Sequence, residues 1–466
     1  MARQEVKKQL PLERVKNFLE VSLGFSEEQA LEEAGRCLNC NNPLCVKGCP
    51  VEIDIPAFIQ LIKEKKYKQA LAKIKEKNNL PAICGRVCPQ EDQCESACVL
   101  AKKKVPINIG ALERFASDFG EEKIYSQPIK EPTLQEKIKI AVVGSGPAGL
   151  TAAADLAKIG YFVRLFESLH LAGGVLRYGI PEFRLPKDIV ERELAYIRSL
   201  GVDIRTDVLI GSTYSIKDLF NLGFRAVFLG LGAGLPQFLG IEGENLPGVY
   251  SANEFLTRIN LMKAHQFPEY ATPIKLGKKV AVIGAGNVAF DCARCAVRLA
   301  KQVIILYRRT EEEMPARKEE IANAKEEGVE FRLLTQPKRI IKNQENQLRI
   351  ECLRMELGSP DESGRRRPVE QLNSNFFIEV DNIIVAIGQS PNPLLAKLTP
   401  ELKTHPRGMV MINDDYMTSI PGVFAAGDIV SGADTVISAM GAAKRAVQSI
   451  DKFIKYQDKY NTLRSR

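Results

Sequence analysis

Ile138-Lys139-Ile140-Ala141-Val142-Val143-Gly144-Ser145-Gly146-Pro147-Ala148-Gly149-Leu150 is the stretch on which the fold turns. A short apolar run rich in β-branched residues feeds directly into G-x-G-x-x-G, and an alanine-rich helical stretch follows. In such a strand–turn–helix unit Gly144 and Gly146 permit the tight turn and a close approach of a pyrophosphate, while Gly149 lets helix and strand pack closely. The helix start at Pro147 and Ala148 turns its N–H groups toward the phosphates. The next strand, Phe162-Val163-Arg164-Leu165-Phe166, ends at Glu167, where a carboxylate accepts hydrogen bonds from an unphosphorylated ribose.

A second opening of the same kind is Val280-Ala281-Val282-Ile283-Gly284-Ala285-Gly286-Asn287-Val288-Ala289. Alanine replaces the third glycine, a change the fingerprint tolerates. The corresponding second strand, Val303 to Tyr307, ends not at a carboxylate but at Arg308 and Arg309. A carboxylate there would repel a 2′-phosphate, whereas guanidiniums bind one through charge-assisted hydrogen bonds. This contrast assigns NADPH to the second fold.

Near the C-terminus, Val423-Phe424-Ala425-Ala426-Gly427-Asp428 is followed by Thr435-Val436-Ile437-Ser438-Ala439-Met440-Gly441. The pair resembles the second FAD motif of two-dinucleotide flavoproteins, in which the aspartate binds the flavin's ribityl or phosphate region and the next helix points its N-terminus at the ring. The loop Gly173-Gly174-Val175 and Gly179 to Pro186 matches the flavin side of that family and makes Gly174, Val175 and Arg184 candidate FAD contacts. The predicted architecture is α/β, with a helical region ahead of two Rossmann-like folds and the NADPH domain inserted in a split FAD domain. Its expected limits are 1–134 (helical), 135–250 (FAD, first part), 251–379 (NADPH) and 380–466 (FAD, second part).

Residues 1 to about 130 show apolar spacings of three and four, as at Phe58, Ile59 and Ile62, then Ala70, Leu71 and Ile74, with few strand signals. Eight of the eleven cysteines fall there, as Cys37, Cys40, Cys45, Cys49-Pro50 and then Cys84, Cys88-Pro89, Cys94, Cys98. Structural zinc favours paired C-x2-C knuckles or added histidines, and only one C-x2-C occurs before the first histidine, His170. Buried unligated thiols are a fair reading of Cys292, Cys295 and Cys352 but not of eight clustered cysteines. Iron–sulfur clusters are the expectation, and eight thiols suffice for two, with the pairing left open by spacing alone.

Composition narrows the rest. The 45% apolar and 26% charged fractions are those of a globular chain of 466 residues, long enough for roughly three domains. No apolar run is long enough to cross a bilayer and the charged N-terminus lacks a secretion signal, so a cytoplasmic location without disulfides is expected. The net charge of +8 is spread along the chain without aromatic interleaving, which argues for a solvated surface and against nucleic-acid binding.

Arg36-Cys37-Leu38-Asn39-Cys40 through Cys49-Pro50, Cys84-Gly85-Arg86-Val87-Cys88-Pro89-Gln90 through Cys98, and Pro106-Ile107-Asn108-Ile109-Gly110-Ala111-Leu112-Glu113 together resemble the N-terminal domain of the small subunit family of NADPH-dependent glutamate synthase. Similar domains occur in dihydropyrimidine dehydrogenase and in the large subunit of electron-bifurcating ferredoxin:NADP oxidoreductases. The resemblance covers nearly the whole chain. It implies that Cys37, Cys40, Cys45 and Cys98 hold one 4Fe-4S cluster, that Cys49, Cys88 and Cys94 with Glu113 hold the other, and that Cys84 is unligated. It further implies transfer from NADPH through FAD and the two clusters to a second redox subunit. That partner is either a large glutamate synthase subunit or, in the bifurcating reading, a small ferredoxin reductase-like flavoprotein. A redox sensor that binds nucleotide and metal without turnover is the contrasting expectation. The route demands no side-chain acid or base, so no catalytic residue is assigned.

Overall fold

The computed structural model describes residues 2–120, 138–343, 347–362 and 364–464. The expected linker between the helical and FAD regions, 121–137, lies outside them. The first unit is helical. Ser26 opens the helix Glu27–Gly35 with a capping box completed by Gln29, and Asp54 caps Ile55–Lys63. Phe58, Ile59 and Ile62 on that helix and Ala70, Leu71 and Ile74 on Tyr67–Lys75 are all buried, as their spacing predicts.

Two five-stranded parallel sheets follow. The first runs, edge to edge, Val423–Ala425, Phe224–Leu229, Lys139–Val143, Phe162–Phe166, Asp203–Arg205, with Val143 opposite both Phe166 and Leu229. Its strands come from both ends of the split domain. The C-terminal helix Val436–Arg464 packs across Pro147–Lys158 and closes that sheet's outer layer. The second sheet runs Val249–Ser251, Asn382–Val385, Lys279–Ile283, Gln302–Leu306, Glu330–Arg332. An antiparallel group made of Thr335–Lys342, Leu348–Pro360, Arg366–Glu370 and Phe376–Val380 extends from it.

This topology corrects the expected limits of the inserted domain. Val249–Ser251 and Asn382–Val385, assigned from sequence wholly or in part to the two halves of the FAD domain, pair with each other, and Ile384 lies opposite Val282 of the NADPH sheet. The inserted unit therefore begins before 251 and ends after 385. Cys292, Cys295 and Cys352 are fully buried in its core.

An ionic network ties the N-terminal segment to this unit. Arg14, in the short helix Pro11–Arg14, reaches Glu327 and Glu326 at 2.8 Å each, and Glu327 also receives Arg294 at 2.6 Å and Arg298 at 2.9 Å. Fixed at this depth, the chain's first residues cannot be a loose arm, because separating such a buried pair would strand a charge away from water.

Candidate functional site

Cys37 and Cys40 follow the helix Glu27–Gly35, Cys45 lies in the short helix Leu44–Lys47, and Cys98 caps the turn Val99–Lys103. Asn39, at φ 47°, takes the left-handed conformation that bends the chain between the first two thiols. The four sulfurs face one void, counted with its open mouth at about 410 Å³, whose remaining wall includes Ile55, Ile59, Ile107 and Ile109. Burial, with the neighbouring Cys98 and Cys37, pushes the Cys45 thiol up to about 11. Such a group becomes a stable thiolate only beside a metal centre that offsets the gathered negative charge.

A second void of about 330 Å³ is lined by Cys49, Cys88, Cys94 and Glu113 with Ile53, Phe58 and Ile437. Pro89 follows Cys88 directly after the helix Pro81–Val87, and Glu113 projects from Ile109–Phe119. Glu113 is buried, accepts a 2.7 Å hydrogen bond from Asn78 Nδ2, and has its carboxyl pushed up to about 8 by burial. The solvated-carboxylate alternative for Glu113 is thereby excluded. Cys84 lines neither void; its sulfur lies 3.7 Å from Asn78 Oδ1 and 3.6 Å from Met440 Sδ. Each void is thus lined by four candidate donors, and soft thiolates in such number suit an iron–sulfur group.

The FAD-type cradle is built from three glycine segments. A Cβ on Gly149 would lie 1.8 Å from Gly144 O, so helix and strand meet there only with glycine. A Cβ on Gly174 would lie 2.7 Å from Gly146 Cα, and one on Gly427 would lie 3.0 Å from Ala148 Cβ, which places the three motifs side by side. Val175 starts the short helix after Gly174. Glu167 is buried and accepts from Ser145 N–H at 3.0 Å, from Leu169 N–H at 2.9 Å and from the Ser145 hydroxyl. Ser145 also accepts from Gly173 N–H at 2.8 Å, knitting the three loops together. Ser145, set between Gly144 and Gly146, was not among the expected site residues; a hydroxyl between the two turn glycines was the available signal. Thr435 accepts from Ser438 N–H at the start of Val436–Arg464, and burial pushes Asp428 up to about 7.

In the second unit Gly284 has φ 127°, and a Cβ on it would lie 2.2 Å from Ala386 O. Space above Gly286 is open, Ala289 is buried against the turn, and Val288 is partly buried beside it. Asn287 Oδ1 accepts from Arg317 N–H at 3.0 Å and holds the loop facing the motif. The two arginines separate here. Arg308 is exposed, but Arg309 is buried, 2.6 Å from Asp361 Oδ2, and donates to Arg366 O at 2.8 Å. Arg309 is thus engaged with the antiparallel extension, whereas Arg308 is open to solvent.

Arg184 also departs from expectation. It pairs with the second unit, with Nη1 2.8 Å from both oxygens of Asp291 and Nε 3.3 Å from Glu320. Its place in the flavin-side loop hid a partner more than 100 residues away, a contact that exists only once the two units have docked.

Comparison with known proteins agrees with this layout. The family model "dihydropyrimidine dehydrogenase domain II, 4Fe-4S cluster" matches residues 14–124, and that of the pyridine nucleotide-disulphide oxidoreductases matches 138–448. The chain is 36% identical to the glutamate synthase [NADPH] small chain of Escherichia coli K12 over 96% of both chains. It is 38% identical to the NADP(+)-dependent formate dehydrogenase subunit beta of Moorella thermoacetica over 88% of this chain, but spans only 60% of that protein. The solved structure of Mycobacterium tuberculosis FprA in complex with NADPH shares the fold of the flavoprotein part, with a TM-score of 0.59 and 22% identity over 70% of this chain and 86% of that one. With a model matching most of its length and a relative matching it end to end, the chain belongs to the pyridine nucleotide-disulphide oxidoreductases, in the family of the NADPH-dependent glutamate synthase small chain.

Proposed function

We propose that the chain is the NADPH-oxidising electron-input subunit of a glutamate synthase, delivering electrons to a partner subunit that makes glutamate from glutamine and 2-oxoglutarate. When bound, FAD, NADPH and two 4Fe-4S clusters supply the hydride and one-electron chemistry. The chain's part is to hold and space them. Gly144, Gly146, Pro147, Ala148, Gly149, Glu167, Gly174, Val175, Gly427, Asp428, Thr435 and Val436 frame the FAD site. Gly284, Gly286, Asn287, Val288, Ala289 and Arg308 frame the NADPH site. Cys37, Cys40, Cys45 and Cys98 hold one cluster, and Cys49, Cys88, Cys94 and Glu113 the other.

One observation carries the reading. Ile437, in the first turn of the helix that follows the Asp428 motif, lines the Glu113 void, while Ile55 and Ile109 line both voids. The helix that follows the FAD motif thus borders the Glu113 void, and that void shares apolar wall residues with the Cys45 void. The 36% identity over 96% of both chains with the glutamate synthase small chain supports that partner. Anaerobically purified holoprotein should bleach its flavin on adding NADPH and support glutamate formation when combined with a large synthase subunit. A flavin that stays oxidised in excess NADPH would refute the proposal.

A further inference from the structure

The void bounded by Cys37, Cys40, Cys45 and Cys98 opens at the surface, and its rim is unusual. Leu38, Leu44 and Val99 each adjoin one of these cysteines, line the void, and are 61%, 43% and 40% exposed. Three large apolar side chains gathered at one mouth have an energetic cost in water that a scattered surface leucine does not, and such patches mark contact sites. Around them the charge has one dominant sign. Lys47 lies two residues beyond Cys45, Lys63 ends the helix that supplies Ile55 and Ile59 to the wall, and Lys102, Lys103 and Lys104 close the turn that begins at Cys98. All five lysines are exposed, and none forms an ion pair among the described residues.

Nearby carboxylates do not cancel this. Glu64 is paired with Lys66 at 2.8 Å, Glu95 is turned inward to Arg3 at 2.7 Å, and Asp54, beside the wall residue Ile55, is engaged by Ala57 N–H as a helix cap, one carboxylate against the five lysines. An apolar centre inside a ring of unpaired cations is complementary to an apolar patch ringed by carboxylates.

We infer that this rim is the docking face for an acidic electron-transfer protein, seated over Leu38, Leu44 and Val99 and steered by Lys47, Lys63 and Lys102 to Lys104. The inference rests on the proposed reading that the four thiols hold a cluster. Electron transfer between proteins requires the two centres to approach closely, and this void is the one whose wall is also surface. Long-range attraction raises the encounter rate, and the apolar contact then excludes water from the gap.

The test uses anaerobic holoprotein and a pre-reduced acidic plant-type [2Fe-2S] ferredoxin, which gives one electron per molecule to the oxidised holoprotein. Stopped-flow oxidation of the ferredoxin gives a second-order rate constant. Charge reversal, K102E/K103E/K104E, is expected to lower it at least tenfold at low salt and to flatten its fall with ionic strength. The pair L38S/L44S should lower it several-fold at all salt concentrations. For the charge-reversal variant, whose lysines lie outside the lining of the void, NADPH bleaching of the flavin, and iron and sulfide per chain, should stay as in the parent protein. Rates within twofold of the parent for both variants would overturn the inference, as would faster exchange with basic reduced cytochrome c. A salt-insensitive dimer abolished by L38S/L44S would assign the face to a second copy instead and would equally overturn it. Parent protein lacking iron and sulfide would defeat the cluster reading itself, a separate outcome.

Discussion

Arg184 and Asp291 face each other across two folding units, Nη1 lying 2.8 Å from both carboxylate oxygens. Arg184 belongs to the loop beyond the glycine cradle and Asp291 to the helix Asn287–Val297 that opens the NADPH unit. Removing one member of a buried pair leaves the other charge uncompensated, at about 3–5 kcal/mol. Arg184→Met should therefore lower thermal stability sharply while flavin per chain stays near one. Restoring neutrality in Arg184→Met/Asp291→Asn should recover part of the loss. Loss of flavin without loss of stability would return Arg184 to the FAD site.

The paired arginines at the end of Gln302–Leu306 should behave differently from one another. Arg308 is exposed and faces no carboxylate partner in the described structure, so Arg308→Glu should cut kcat/KM for NADPH roughly ten- to a hundredfold, the value of a charge-assisted hydrogen bond, and leave NADH nearly unchanged. Arg309→Ala breaks the contacts to Asp361 and Arg366 O and should lower stability with little effect on cofactor preference. Steady-state kinetics with both cofactors, alongside melting curves, separates the two.

Glu320 gives the acid side of the stability profile a defined shape. Burial alone would raise its carboxyl pKa, but Arg184, Arg294 and Arg317 lower it further, to about 2. A group depressed in the folded state stabilises fully above its unfolded value, near 4.5, and loses that contribution as pH falls toward 2. The loss is on the order of 3 kcal/mol at most. Denaturant midpoints between pH 5 and 2.5 should fall steeply for the parent protein and less steeply for Glu320→Gln, which starts lower. Parallel slopes would show that the Glu320 carboxyl titrates alike in the folded and unfolded states, and would refute the depressed value.

What the sequence could disclose followed the range of the interactions involved. Gly144 and Gly149 are local devices, because turn and helix-to-strand approach are set within six residues, and the strand–glycine–helix units stand where their pattern places them. The strand Asn382–Val385 was harder, since a run of Ile383, Ile384 and Val385 would suit either parallel sheet and only its pairing with Val280 to Ile283 decides. The ion pairs of Arg184 and Arg309 could not be read from sequence because their partners are distant in the chain and brought close only by folding. Glu113 alone looks like a surface carboxylate. Its burial follows from the helix Ile109–Phe119 being enclosed on nearly every side.

The two voids predict a partition among cysteines that no sequence spacing contains. Cys84 is fully buried and only four residues before Cys88, yet its sulfur sits between Asn78 and Met440, outside both spaces. Cys84→Ala should retain iron and acid-labile sulfide per chain, with a modest loss of stability for the vacated volume, about 1 kcal/mol. Cys45→Ala and Cys98→Ala should each remove the same spectroscopic component and roughly half the iron, as expected when one of two four-iron centres is lost. Cys49→Ala, Cys88→Ala and Cys94→Ala should remove the other component. Glu113→Gln should perturb only this second component, and Asn78→Leu should shift its reduction potential without lowering iron content, because Asn78 fixes the carboxylate by the bond to Oε1. Low-temperature electron paramagnetic resonance with iron analysis on the same samples checks every arm. Variants from the two sets that abolish one shared signal would show that the voids do not act as separate sites.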